Sequence, residues 1–487
     1  MSNNIAKNAF LNTTKTILGI LFPLVTYPYI SRILGVENIG IYNYSYSFLS
    51  YFLLIGGLGV ATYGIREGTQ YRDDKCAIQQ FVSELFSINI LASFLSYLLL
   101  FILLIAIPFL SSYSSSIAIL SIEIIFTTVG VSWVCNIYED FFIIAIRTII
   151  FQILSLVLIF LFVKSTEDLN NYLIILLISN SGANIFNFFY IRNKYCHFKF
   201  TLKIDWKRHL KPILIIFSTS IAITVYVNSD NIILGFMTND FQVGLYGTAV
   251  KIYTVIKNIL AAILMVMIPQ FSLLFAQKDY KHISLFLSKV INVLTLLMLP
   301  MCVGLFCLSE EIVILISGEE YLQASLPLKF LSIAVAFSLY SYLFSQCVLI
   351  PNKQESLVFR VTFYSALLNV CLNLILIPFW GICAAALTTI LAELMTVLIL
   401  YHYSKLYFEF HKIKWNLLSV LIGCLCIYLV CYIMKIINSF TLKILSSIGV
   451  SIIVYILCLF FTKNKVFSNL CIILIKKMST INKGQHL

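Results

Sequence analysis

Charged side chains are scarce in this sequence. Asp, Glu, Lys and Arg make up 11% of its 487 residues, against roughly 25% in a soluble domain. So few charges cannot coat a water-facing surface of this size, which excludes a soluble globular protein. Paired CxxC spacings are also lacking among the 13 cysteines, so neither a metal site nor a disulfide framework is expected. Most cysteines (Cys135, Cys302, Cys307, Cys347, Cys371, Cys383, Cys458) lie inside apolar runs. The lone CxC of Cys424 and Cys426 reads as small packing residues. No polar stretch is long enough for an extramembrane domain. No small-residue cleavage site follows the MSNNIAKNAF start, so a retained first helix is expected rather than a signal peptide.

What is present is apolar sequence. Hydrophobic residues make up 60% of the chain, much of it in runs of roughly 20 residues, enough to cross a hydrocarbon core about 30 Å thick. Helices are expected at 9–33, 38–65, 81–110, 116–136, 140–163, 171–191, 213–236, 242–273, 287–309, 321–350, 357–379, 382–403, 415–437 and 442–462. The fold class is therefore an all-α polytopic membrane protein with about 14 transmembrane helices.

The net charge of +12 suggests nucleic acid only at first sight, because the basic residues sit in short loops, where they set topology. With the N-terminus inside and the helices alternating, 22 of the 33 Lys and Arg fall on cytoplasmic segments. The outer side holds four: Arg32, Lys164, Lys435 and Lys443. The outer loops carry acids instead, among them Glu167, Asp168, Asp240, Glu310, Glu311, Glu319 and Glu320. An odd helix count would invert every later loop, so both termini are expected in the cytoplasm. The tail 463–487 mixes Lys with apolar residues and reads equally as a segment lying on anionic lipid or as a frayed basic end.

The chain contains an internal echo. Ile33-Leu34-Gly35 followed by Gly40-Ile41-Tyr42 returns as Ile233-Leu234-Gly235 followed by Gly244-Leu245-Tyr246. A fainter one sets Glu139-Asp140 before Arg147 beside Gln354-Glu355 before Arg360. Together they predict two related six-helix lobes, 1–192 and 213–403, joined by a cytoplasmic linker at 193–212. Residues 404–462 add two further helices. Six helices per lobe gives both lobes the same orientation, a parallel-repeat transporter plan.

Beyond Arg32, Lys435 and Lys443 at outer helix ends, seven positive residues fall inside the expected helices: Lys15, Arg147, Lys251, Lys257, Lys289, Lys329 and Arg360. A charge at a helix centre costs roughly 2.5–3.5 kcal/mol on insertion scales and needs a partner or a water-filled cavity. Lys289 and Lys329 are near helix ends and can snorkel. Asp230 is the main acidic counterpart, at a depth of roughly 9 Å, with Lys251 at roughly 14 Å on the next helix. Two readings stand: a buried Asp230–Lys251 pair, or an aqueous cationic cavity between the halves. In the second, Lys15, Arg32, Lys251 and Lys257 form the substrate cavity and Asp230 serves ion or proton coupling. Lys251 and Lys257 point to different sides of their helix, and which one faces the cavity stays open. Arg66, Arg147 and Arg360 are gate or headgroup contacts. A net-positive cavity suits an anionic, phosphate-bearing substrate.

At these residues the chain resembles the polysaccharide-transporter branch of the multidrug/oligosaccharidyl-lipid/polysaccharide (MOP) exporter superfamily, the Wzx-type O-antigen or capsule flippases. The resemblance is carried by Pro23-Leu-Val-Thr-Tyr-Pro-Tyr-Ile-Ser-Arg-Ile-Leu-Gly35 with Gly40-Ile-Tyr42, and by Gly57-Leu-Gly-Val-Ala-Thr-Tyr-Gly-Ile-Arg66-Glu67. Trp133 with Glu139, Asp140 and Arg147 follows, then Tyr226 to Asp230, Ile233-Leu-Gly235, Gly244-Leu-Tyr246, Lys251 and Pro269. One segment departs from the family: Val-Cys-Asn-Ile-Tyr follows Trp133 where a Gly before the acidic residue is common. The resemblance implies a MATE-like fold and movement of undecaprenyl-diphosphate-linked oligosaccharide from the cytoplasmic to the outer leaflet of the bacterial inner membrane. It also implies a polysaccharide polymerase and chain-length machinery as partners, beside membrane lipids.

Two other classes compete. A MATE-type cation-coupled drug antiporter needs an apolar or acidic cavity, against which Lys15, Lys251 and Lys257 argue. A membrane-embedded polymerase, ligase or glycosyltransferase needs an outer active-site loop, and the longest outer loop, about 310–321, is short and acidic. No catalytic residue, cofactor or nucleic acid is expected.

Overall fold

The computed structural model describes the backbone of residues 2–407, 414–437, 439–469 and 472. Side chains are described at 19, 22–407, 417–437, 439–469 and 472. Helices dominate, and no strand occurs among the described residues. In chain order they are α1 (Ser2–Gly57), α2 (Val60–Gly68), α3 (Lys75–Ala106), α4 (Ser114–Gly130), α5 (Trp133–Ile137), α6 (Phe141–Phe162), α7 (Leu169–Ser181) and α8 (Ala183–Lys194). There follow α9 (Trp206–Met237), α10 (Asp240–Ala276), α11 (Tyr280–Cys307), α12 (Ser309–Ser317), α13 (Ser325–Tyr342), α14 (Glu355–Ser404), α15 (Lys414–Met434) and α16 (Phe440–Phe461).

Twelve helical stretches are long and apolar enough to cross a membrane among the described residues. Two of them, Phe22–Gly68 and Glu355–Tyr407, run to 47 and 53 residues. At 1.5 Å per residue such rods would reach about 70 and 80 Å, more than twice a hydrocarbon core of about 30 Å. Each is broken by a glycine. Gly35 has φ 77° and ψ 172°, and Gly381 has φ 52° and ψ −130°. A side chain is strained at positive φ, which only glycine adopts freely. Each long stretch therefore holds two helices, which gives fourteen helical stretches of spanning character among the described residues, the number expected from hydropathy.

The described structure divides into two compact units. The first holds Met1–Gly247, Ile316–Glu320 and Val370–Ile382, and the second holds Thr248–Leu315, Tyr321–Asn369 and Cys383–Leu487. Compactness groups α9 with the first six expected helices, whereas the repeat groups it with the next six; the two criteria measure different things.

In the first unit, Tyr63, Phe81, Trp133, Val134 and Ile137 anchor a buried cluster. Gly64 and Gly68 of α2 let Trp133 and Ile137 pack on the helix backbone. The segment 195–205 lies extended along α3. Its Lys199 and Thr201 amides donate to the Ser83 and Ser87 hydroxyls at 3.2 and 2.8 Å. Asp205 then caps α9 through the Arg208 amide, so α9 begins at Trp206, ahead of the expected 213.

In the second unit, α11, α15 and α16 share a core of Leu296, Leu308, Val420, Ile427 and Tyr455. The Tyr455 hydroxyl donates to the Leu296 carbonyl at 2.7 Å. Cys424 lies in this core, and Cys426 meets Cys458 with sulfurs 3.5 Å apart. At one end of this unit Lys329 pairs with Glu310 at 2.6 Å and Lys443 with Glu311 at 2.5 Å. The Lys329 hydrogen bond holds the Glu310 carboxyl below its ordinary value, against the effect of partial burial.

Candidate functional site

The echoed sequences meet in the first unit. A Cβ on Gly40 would overlap the Asp240 carbonyl, and one on Gly244 would overlap the Val36 carbonyl. Gly244 follows Gly40 by 204 residues and Asp240 follows Val36 by the same 204. The contact is therefore reciprocal: each copy's glycine faces the other copy's residue four positions earlier. Gly247 meets Asn43, also 204 residues apart, so equivalent positions touch each other. Reciprocity of this kind is what a local two-fold produces. Small residues allow it, since backbones in an apolar medium approach closely only without side chains.

Asp230 lies beside this crossing, buried on α9. Its Oδ2 accepts a 2.5 Å hydrogen bond from the Tyr246 hydroxyl, and its Oδ1 one of 2.5 Å from Asn373 Nδ2. Next to it, Asn231 Nδ2 donates to Ser47 Oγ at 3.0 Å. Tyr246 is the tyrosine of the second echo. Its counterpart Tyr42 packs against Tyr46 and Tyr172, with ring centroids 5.9 and 5.5 Å apart. The position matching Asp230 in the first copy is Ile30, fully buried. The acid thus belongs to one copy alone, although the scaffold is shared.

The remaining expected site residues are distributed as follows. Lys257, on α10 in the second unit, has its Nζ 3.5 Å from Glu393 Oε1 and 3.4 Å from the Tyr253 hydroxyl. Lys251 stands half-buried six residues earlier on the same helix. Arg32 is exposed beside Gly318, and Gly35 faces Glu320. Arg66 is exposed and pairs with neighbouring Glu67 at 3.0 Å. Arg360 is exposed, its Nε donating to the Ser356 carbonyl one turn back. The Lys15 side chain falls outside the described residues.

Arg147 is half-buried on α6 and reaches the Cys135 thiol. Its Nη1 is buried without a hydrogen-bond partner. Nearby Asp140 accepts from the Tyr190 and Tyr195 hydroxyls at 2.5 and 2.6 Å and from Lys194 at 2.9 Å. Burial pushes the Asp140 carboxyl up, but these three donors outweigh it and hold it below the ordinary value.

Sequence reasoning missed several polar partners. Glu393 neutralises Lys257, Asn373 completes the Asp230 cage, and His209 meets Glu84 at 2.9 Å with both side chains buried. Each partner comes from a distant helix, so no local spacing marks it. A lone Asn or Glu inside an apolar run is the one signal available.

The sequence pattern of the polysaccharide biosynthesis protein family matches residues 5–275. A Haloferax volcanii protein, named as a probable low-salt glycan biosynthesis flippase, is 28% identical over 208 residues, which is 42% of this chain and 44% of that protein. A Shigella dysenteriae protein, assigned by its name to O-antigen transport, is 22% identical over 78% of this chain and 94% of its own length. Among solved structures, the lipid II flippase MurJ in an inward closed conformation superposes with a TM-score of 0.74 at 17% identity, over 95% of this chain and all of that one. A MATE-family multidrug resistance transporter of the MOP superfamily, inward-facing, gives 0.63 at 13% identity, over 82% of this chain and 97% of that one. Both share the fold. Since the matched residues exceed half the sequence, the chain belongs to the polysaccharide biosynthesis protein family, as a multi-pass membrane protein with the fold of these two transporters.

Proposed function

We propose that this protein is a flippase. It moves undecaprenyl-diphosphate-linked oligosaccharide units from the cytoplasmic to the outer leaflet of a bacterial inner membrane, for O-antigen or capsule synthesis. The observation that carries this reading is family membership together with the alignment, over 78% of this chain, to a protein named for O-antigen transport. The chemistry of the chain supports it. Inside the expected helices seven Lys and Arg stand against the acids Glu84, Glu123, Asp230 and Glu393, an excess that suits a diphosphate and disfavours a cationic drug. The work is transport rather than bond-making.

Within this reading the lobes are 1–192 and 213–403, and both termini face the cytoplasm, as the loop charges favour. Lys251 is the cavity cation placed first. Lys257 follows it, because Glu393 already offsets its charge. Lys15 and Arg32 complete the cationic set. Asp230 takes part in coupling, through the Tyr246 and Asn373 hydrogen bonds that hold it. Arg66, Arg147 and Arg360 are gate or headgroup contacts, Arg66 and Arg360 from exposed positions. A polysaccharide polymerase and chain-length machinery act on the product at the outer face.

Deletion of the gene tests the reading. Lipid-linked repeat units should accumulate on the cytoplasmic leaflet, and the protein supplied in trans should clear them. A deletion strain with unchanged lipid-linked intermediates and unchanged surface glycan contradicts it.

A further inference from the structure

Five carboxylates are buried among the described residues: Glu84, Glu123, Asp230, Glu311 and Glu393. Four have partners. Glu84 meets His209 and accepts from Gln80 and the Asp205 amide. Asp230 accepts from Tyr246 and Asn373. Glu311 and Glu393 pair with Lys443 and Lys257. Glu123 differs, because its Oε2 is fully buried and has no hydrogen-bond partner.

Glu123 lies near the middle of α4, about 14 Å from Ser114 and about 10 Å from Gly130 along the helix. That helix packs against α1, α3, α7 and α8. The groups facing Glu123 are neutral hydroxyls. Tyr42 and Tyr46 of α1 are within electrostatic reach. Ser181 of α7 stands beside the carboxyl, outside hydrogen-bond geometry. Tyr172 of α7 backs Tyr42, and Tyr97 of α3 is spent on the Ser121 carbonyl. Of the charged groups on these helices, Glu84 of α3 pairs with His209 and Lys194 of α8 with Asp140, Arg32, Glu37, Lys75 and Arg192 are exposed, and the Lys7 and Lys15 side chains lie outside the described residues. No cation acts on Glu123 among the described residues.

An ionised carboxylate in this position would be a bare charge in an apolar interior, the costliest state for a buried group. The neutral acid has only one O–H to satisfy, and Ser181 can accept it. The three hydroxyls of Tyr42, Tyr46 and Ser181 are the donors an anion would need, and they must turn toward it first.

We propose that Glu123 is a proton-carrying site of the transport cycle, protonated in the conformation described here and ionised when the α1 and α7 hydroxyls turn toward it. Only its O–H bond breaks, and the proton passes to the aqueous phase. The proposal rests on the transporter reading above. It adds a site in the first unit distinct from Asp230, whose carboxylate accepts hydrogen bonds from Tyr246 and Asn373.

The test uses the full chain in liposomes, as wild type, Glu123→Gln and Glu123→Asp. Two readouts are taken: the infrared band of a protonated carboxyl during pH titration, and movement of undecaprenyl diphosphate bearing a fluorescent oligosaccharide under an imposed pH gradient. Wild type should show a titrating band that E123Q lacks and that E123D shows at a shifted pH. Acceleration by the gradient should fall about tenfold or more in E123Q, within the range of ordinary coupling between sites. An unchanged band or an unchanged gradient response in E123Q overturns the proposal. So does the same spectral change produced by sodium at constant pH, which would make the site one for a metal cation. If wild-type chain moves no probe, the flippase reading fails, and the band still decides whether Glu123 holds the proton.

Discussion

Tyr246 donates a 2.5 Å hydrogen bond to Asp230, tying an echoed motif to a buried acid that exists in only one copy of the echo. The bond joins α10 to α9, and Asn373 of α14 closes the other side at 2.5 Å. Replacing Tyr246 with Phe removes one donor from Asp230. We expect a stability loss of about 1–3 kcal/mol and slower transport, read by thermal unfolding in detergent and by flipping in liposomes. Asp230→Asn and Lys251→Ala should each slow transport. Full activity in both variants removes these residues from the mechanism.

The crossing of the two echoed hairpins depends on absent side chains. Gly40→Ala and Gly244→Ala each place a methyl into a carbonyl of the other copy. Overpacking typically costs about 1–3 kcal/mol, and backbone is harder to move than a side chain. Both variants should melt earlier than wild type. Gly449→Ala is the control, since nothing lies within 4 Å of a Cβ there. Equal melting of all three would mean that the crossing bears no stability.

Lys257 and Glu393 form a partly buried pair at 3.5 Å. Lys257→Met strands the Glu393 carboxylate and should cost about 2–3 kcal/mol, just under the range for a fully buried pair, because Lys257 retains 28% exposure. Adding Glu393→Leu should recover most of the loss. A double-mutant cycle on unfolding free energies measures the coupling, and strictly additive losses would show that the contact is idle.

Asp140 supplies a pH dependence whose sign can be worked out. Its carboxyl is held below the ordinary value by Tyr190, Tyr195 and Lys194, against the opposing effect of burial. A depressed folded value means that the contribution is fully present above the unfolded value, about 3.9 for Asp, and is lost as pH falls through the lower folded value. Asp140→Asn should therefore be less stable than wild type at neutral pH, with the gap closing in strong acid. Melting curves of the two proteins across acidic pH check this, and a gap that widens in acid would reverse the assignment.

Much of the architecture was legible in the sequence because a bilayer demands it. Apolar runs of spanning length are required by hydrocarbon thickness, so most spanning stretches could be read from hydropathy, whereas the breaks at 58–59 and 182, inside the expected helices 38–65 and 171–191, could not. The glycine kinks at Gly35 and Gly381 also fell at expected helix boundaries. The echo of Gly40 and Gly244 pointed to a repeat, and the two glycines lie at one reciprocal contact. The polar interior was less legible. Asp230 stood out as a charge in an apolar run, but its partners Tyr246 and Asn373 lie 16 and 143 residues away. Glu393 likewise reaches Lys257 from another helix. Such pairings follow from how helices pack, which hydrophobic periodicity constrains only weakly when most faces are apolar.

On the proposed reading, this chain moves a lipid-linked diphosphate glycan across a bilayer. The most direct measurement is a leaflet assay on the purified full chain in liposomes, with undecaprenyl diphosphate carrying a fluorescent oligosaccharide on one side and a membrane-impermeant quencher on the other. The account predicts protein-dependent exposure of the probe to the quencher, weakened by Lys251→Ala. Probe that stays in its original leaflet, while the same liposomes exchange a cationic dye for protons, would contradict it.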